Sequence, residues 1–137
     1  MADVRRVTDD FSVASQIGLA DLSLAAAAGF KLVINNRPDG EAPDQPSSAE
    51  VEAAAKAAGL DYAFIPVRGA PTPEQVDEER TLLAKARGPV LAYCRSGNRS
   101  ITTWSLGEAR AGSRTASELI KLGAAAGYDL SAVLARE

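Results

Sequence analysis

Histidine is absent from this chain of 137 residues, and cysteine occurs once, at Cys94. These two scarcities exclude a great deal. No disulfide can form within the chain, nearly every zinc or copper site loses its usual ligands, and no serine or cysteine nucleophile can be activated by an imidazole. The expected set of metals and cofactors is therefore empty. Aromatic residues make up only 5% of the chain against 46% hydrophobic residues in all, so packing should rest on Ala, Leu, Ile and Val rather than on an aromatic-rich surface. Long apolar runs are missing too. The longest lies near residues 22–30, and the start, Met1 to Arg6, is not followed by the apolar core of a signal peptide. A soluble, cytoplasmic protein with no membrane partner is expected. Basic and acidic residues, 15 and 18 in number, are mixed along the chain and leave a net charge of -3. No basic stripe marks a phosphate-backbone footprint, so nucleic acid is not an expected partner, while self-association is compatible with the composition.

A chain of this length builds one adequate core. A single domain over residues 1–137 is expected, with its core at about residues 9–128. Three segments share one grammar, a helical stretch, a glycine and a short apolar run: Leu22 to Ala28, Gly29 and Phe30 to Ile34; Ala49 to Ala58, Gly59 and Leu60 to Val67; Leu82 to Arg87, Gly88 and Pro89 to Tyr93. Glycine just past a helix takes the left-handed turn that side chains resist, and the β-rich runs that follow are too short for anything but strands. Ser47-Ser48-Ala49-Glu50 and Thr72-Pro73-Glu74-Gln75 match capping boxes, the second with proline at the first helical position. A further strand is predicted near Phe11 to Ser15. After Ser100 the chain reads as helical, with a packed stripe of Ala116, Leu119, Ile120 and Gly123, and Asp129 capping a last helix. Alternating helices and strands predict an α/β fold, a mostly parallel central sheet flanked by helices, with ligands at the carboxyl ends of the strands.

Three loops occupy that edge. The one from Cys94 to Ser100 follows the apolar strand Val90 to Tyr93 and leads into a helix. Backbone N–H groups and the positive end of the helix dipole then face any anion in the loop, the first being the thiolate of Cys94 itself. Arg95 and Arg99 add positive charge, and surroundings of this kind favour a thiolate. Ser100 can donate a hydrogen bond to the sulfur, Arg99 can grip two oxygens of a tetrahedral anion with its planar fork, and Ser96, Gly97 and Asn98 complete the anion-binding turn. The bland alternative is a buried cysteine beside a solvated turn.

Cys94-Arg95-Ser96-Gly97-Asn98-Arg99-Ser100 resembles the active-site loop of rhodanese sulfurtransferases. The rest resembles another family: Phe30 to Glu41, Ile65-Pro66-Val67 and Thr72-Pro73-Glu74-Gln75-Val76 are similar to the beta-lactamase-hydrolase-like family, over roughly residues 9–125. That resemblance implies the fold of dual-specificity cysteine phosphatases and an activity described either as phosphatase-like or as sulfur transfer. A phosphatase loop of that type holds five residues between cysteine and arginine, whereas Arg95, Ser96, Gly97 and Asn98 alone separate Cys94 from Arg99. The histidine that precedes the phosphatase cysteine is replaced by Tyr93. The loop from Arg68 to Thr72, where a phosphatase usually carries its acid, has no carboxylate.

These departures favour sulfur transfer. A Cys94 thiolate would attack the sulfane sulfur of a small anionic or persulfide donor, thiosulfate-like, and pass it through a Cys94 persulfide to a thiol acceptor. The alternative is a phosphatase working through a Cys94 phosphocysteine, with Asp39 or another carboxylate as acid. A third reading is a non-catalytic anion-binding or redox-sensing module. In the second loop, Arg37 is a candidate anion ligand, and Asp39 a candidate acid or the partner of an arginine in a Pro-Asp-Gly turn. Arg68, in the third, is a candidate anion ligand or an exposed strand-end arginine. Pro38 to Pro46 reads as a polar loop. Glu74, Asp77, Glu78 and Glu79 read as solvated surface that offsets a helix dipole, and Trp104 as core. Tyr62 is a possible pocket wall.

Overall fold

In the computed structural model, which describes residues 3–135, the three helix-glycine-strand units form in order, with Gly29 and Gly59 in the predicted left-handed turn. The third helix instead ends at Lys85 on an extended Ala86, and Gly88 makes no such turn. Capping residues show why several helices start where they do. Ser47 accepts from the Glu50 N–H while its own N–H donates to the Glu50 carboxylate, opening α2 (Ser48–Ala57). Thr72 and Gln75 exchange the same pair of bonds at α3 (Pro73–Lys85). A third capping box that the sequence reading did not pick out, Thr115 with Glu118, opens α5 (Ala116–Ala125). Each box satisfies donors that the first turn of a helix leaves without partners.

The strands are β1 (Val4–Arg6), β2 (Phe11–Ala14), β3 (Leu32–Asn35), β4 (Asp61–Phe64) and β5 (Val90–Tyr93). They form one sheet in the order β1-β2-β5-β3-β4. Only β1, a short edge strand not foreseen from the sequence, runs antiparallel to its neighbour; the other pairings are parallel. Side chains alternate across the strands. Phe11, Val13, Leu32, Ile34, Val90 and Ala92 join Ile101 and Trp104 of α4 (Asn98–Ala111) and Leu119 of α5 in one cluster. Val33, Leu91 and Tyr93 point to the other face, against Leu22 and Ala25 of α1 (Asp21–Ala27) and Val51 and Ala55 of α2. Trp104 is core as predicted, its ring stacked on Phe11 with centroids 5.1 Å apart.

Some boundaries differ. The predicted strand from Leu60 ends at Phe64, where its partner β3 ends at Asn35; Ile65 donates to the carbonyl of Asn35 and Val67 to that of Asn36, just past β3. Ala116 is exposed at the start of α5, so the stripe there reduces to buried Leu119 and Gly123, with Ile120 half-buried. Asp129 sits one residue ahead of the cap of α6 (Ser131–Leu134) and accepts from the Ser131 N–H. Glu79 is buried, at 1% exposure, not solvated as expected: α3 lays this position against the sheet edge, where Asn36 meets it. No helix among the described residues is long and apolar enough to cross a membrane.

Candidate active site

The parallel strands bring the three candidate loops to one edge, and β5 lies at the centre of it between β2 and β3. Its continuation is pinned from both sides. The Cys94 N–H donates to the Ala14 carbonyl at 3.4 Å, the Gln16 N–H to the Arg95 carbonyl at 3.2 Å, and the Asn36 N–H to the Tyr93 carbonyl at 2.8 Å. Cys94 is fully buried. Gly97, at φ 91°, makes the left-handed turn that feeds the chain into α4. That turn aims the Gly97 N–H at the Cys94 Sγ, 3.1 Å away. The sulfur therefore sits at the head of a 14-residue helix whose first N–H groups have no partners within the helix.

Arg99, in the first turn of α4, is held by three hydrogen bonds. Its two terminal nitrogens donate to the two carboxylate oxygens of Glu41, each at 2.9 Å, and Nη1 also donates to the Val67 carbonyl at 2.9 Å. Glu41 at the same time accepts from Arg37 Nε at 2.9 Å. Hydrogen bonds from Arg99 and then Arg37 hold the Glu41 carboxyl at about 2, well below the usual carboxylate range. In turn Glu41, with the Cys94 sulfur as a lesser contributor, raises Arg99 above its ordinary value. The guanidinium is thus a fixed cation beside the sulfur, with planar geometry suited to two oxygens of an anion.

The structure separates the predicted site residues. Cys94, Gly97 and Arg99 come together as expected. Ser100 is buried, but its hydroxyl makes no hydrogen bond, so the predicted bond to sulfur is absent and Gly97 supplies the donor. Arg95, Ser96 and Asn98 are exposed on the rim of the loop, where the Asn98 N–H donates to Ser96 Oγ at 3.3 Å. Arg95 lines a cleft of about 380 Å³ with Gln16, Arg37 and the Glu41–Pro46 stretch. Arg37 is only 5% exposed and is tied to Glu41 and to Gln16, which makes it a support of the site, not a free anion ligand. The predicted Arg37–Asp39 pair does not form. Asp39 accepts from the Ser48 N–H at 2.8 Å, bracing the start of α2, and Glu41 takes the role of arginine partner. Arg68 is exposed. Tyr62 is no open pocket wall, since its hydroxyl joins Asn35 and Ser48.

Four participants escaped the sequence reading, Glu41, Gln16, the Val67 carbonyl and Tyr128, and so did the pairing of Asn36, at the end of its strand, with Glu79. Glu41 was visible as the carboxylate four residues after Arg37, but a loop has no periodicity that ties such a spacing to contact. The others meet the site across 21 residues or more. Asn36 Nδ2 donates both to the Ile65 carbonyl and to Glu79, whose second oxygen has no partner. Burial pushes the Glu79 carboxyl up to about 8.

Known proteins resemble this chain in sequence and in fold. A beta-lactamase hydrolase-like protein of Agrobacterium fabrum is 43% identical over 129 residues, which cover 93% of this chain but only 30% of that relative's length. A crystal structure from Neisseria meningitidis, of a protein with a provisional phosphatase designation, superposes with a TM-score of 0.84 at 31% identity, over 96% of this chain and 94% of that one. The active form of Tk-PTP, at 21% identity over 97% of this chain and 94% of its own, shares the fold with a TM-score of 0.71. Residues 3–111 match the profile of the beta-lactamase hydrolase-like protein, phosphatase-like domain, and the chain belongs to that family.

Proposed function

We propose that this domain is a cysteine-dependent phosphatase acting on phosphate monoesters. The observation that carries the reading is the Cys94 sulfur at the head of α4, facing the Gly97 N–H, with Arg99 locked beside it by Glu41 and Val67. The Cys94 thiolate attacks phosphorus, the S–P bond forms, and the bond to the leaving oxygen breaks. Arg99 and the loop amides hold the phosphoryl oxygens as charge develops on them. Water then attacks the phosphocysteine, releasing inorganic phosphate and restoring the thiolate. The family match and the phosphatase-type fold support phosphoryl over sulfane sulfur, against the preference that the short loop alone suggested.

The leaving oxygen takes its proton from water. Glu41 is held as an anion by two arginines, and the 68–72 loop offers no carboxylate. Substrates with acidic leaving groups, such as aryl phosphates, should accordingly be the better ones. The test is phosphate release across aryl phosphates of graded leaving-group acidity, with a rapid-quench search for phosphocysteine. Turnover should climb steeply with leaving-group acidity, and Cys94→Ser should abolish it. Absence of phosphate release across the series would sink the proposal.

Sulfur transfer is the second reading, favoured by the four residues between Cys94 and Arg99. It predicts that treatment with thiosulfate adds the mass of one sulfur to the protein, and that Cys94→Ser does not gain it.

A further inference from the structure

One tyrosine touches the nucleophile loop from outside the stretch that matches the family profile. Tyr128, 17 residues past the end of that match, lies in the turn after α5. Its hydroxyl donates to the Ser96 carbonyl at 2.8 Å. The N–H of that same peptide unit belongs to Gly97, and it donates to the Cys94 Sγ at 3.1 Å. The two groups of a trans peptide point in opposite directions, so fixing the carbonyl on Tyr128 fixes the N–H on the sulfur. Rotation of this unit would turn the carbonyl oxygen toward the sulfur, and Gly97 is the residue with the least steric resistance to such a rotation.

We propose that Tyr128 is a positioning residue for the nucleophile: it clamps the Ser96–Gly97 peptide so that its N–H faces Cys94. Several contacts suit it to this task. A Cβ at position 97 would run into the Tyr128 hydroxyl, so glycine there makes room for the clamp as well as for the turn. The Tyr128 N–H donates to the Gly123 carbonyl at 2.8 Å, anchoring the residue to the end of α5. Arg5 of β1 stands 6.0 Å from the centre of the Tyr128 ring and donates to the Ala126 carbonyl at 3.0 Å, tying the turn to the opposite end of the chain. Burial raises the phenol above its ordinary value, which keeps it a donor. A carbonyl that accepts a hydrogen bond also polarises its own amide, strengthening the N–H that faces the sulfur.

The inference concerns the sulfur and rests on the proposed nucleophilic role of Cys94, whichever atom is attacked. Its test therefore uses a probe that needs no phosphate substrate. Cys94 is the only cysteine, so alkylation by iodoacetate reports on it alone, as does the ultraviolet absorbance of the thiolate at pH values below those at which the three tyrosines ionise. Tyr128→Phe keeps the ring and removes one oxygen. At a fixed pH on the rising limb of the wild-type profile, its alkylation should slow by about three- to tenfold, the loss of one hydrogen bond's influence. The pH profiles of alkylation and of thiolate absorbance should both move to higher pH, and kcat on an aryl phosphate should fall with little change in KM. Tyr128→Leu should shift the profiles at least as far. If the variants have the wild-type pH profile, or lose only thermal stability, Tyr128 is a structural residue and the inference fails. If the profiles shift in a protein that releases no phosphate, the clamp stands and the phosphatase reading falls.

Discussion

Glu41 and Glu79 are each one hydrogen-bonded neighbour away from the segment Ile65–Val67, yet their surroundings drive them to opposite protonation states. Glu41 meets Arg99 and Arg37, and Arg99 reaches the Val67 carbonyl. Glu79 meets only the Asn36 amide, which reaches the Ile65 carbonyl, and its other oxygen is buried without a partner. The first carboxyl is held at about 2 and the second pushed to about 8. The contrast shows how the site manages charge. The carboxylate at the mouth is ionised because two guanidinium groups repay its desolvation; the interior one stays neutral because nothing does. Segment 65–67 is thereby fixed by a charged clamp at one end and an uncharged one at the other.

Glu41→Gln should break this comparison most severely. It takes the anion from Arg37 and Arg99, and because Glu41 is an exposed residue we expect a loss of about 1–2 kcal/mol in urea unfolding, with at least a tenfold fall in kcat/KM. Unaltered turnover would show that Arg99 does not depend on Glu41. The same pair governs the acid limb. Because the folded-state value of Glu41 is depressed, its stabilisation is present above about 4.5 and is lost as pH falls toward about 2. That limb should be shallower in Glu41→Gln.

Glu79 should behave in the opposite sense. Its folded-state value is raised, so its contribution is full below about 4.5 and is lost as pH rises through about 8. Glu79→Gln, neutral throughout, should flatten this decline and exceed the wild type by about 1–2 kcal/mol on its alkaline side, with activity little changed. Parallel stability profiles for the two proteins would mean that Glu79 is ionised in the fold. Asp39→Asn should do least. It weakens one exposed bond at the start of α2, costs about 0.5 kcal/mol, and leaves turnover near wild type. A large loss of turnover, with the falling alkaline limb missing from its pH profile, would restore Asp39 as the acid.

The site was legible in proportion to how local it is. The cysteine turn could be read because strand, glycine and helix are adjacent in the chain, and because a left-handed glycine before a helix aims amides at one point. The same locality concealed the substrate's identity: the number of residues between Cys94 and Arg99 pointed toward sulfur, while the family and fold point toward phosphoryl transfer. Glu79 was read as surface because it shares a helix with Glu74, Asp77 and Glu78, all exposed. Burial of one acid among four depends on which face of α3 the sheet covers.

By itself, then, the sequence determined the capped helices, the glycine turns at Gly29, Gly59 and Gly97, the α/β order and the cysteine turn, since each rests on hydrogen bonds and side-chain periodicity within a few residues. Only the tertiary structure decided that Glu41 and not Asp39 holds the arginines, that Glu79 is buried, and that Tyr128 reaches the loop of Cys94. Those pairings join residues 32 to 58 positions apart, except Glu41 with Arg37, and they depend on strand order. Placing β5 between β2 and β3 brings distant loops to one edge, where partners are chosen by proximity in space and not by spacing in the chain.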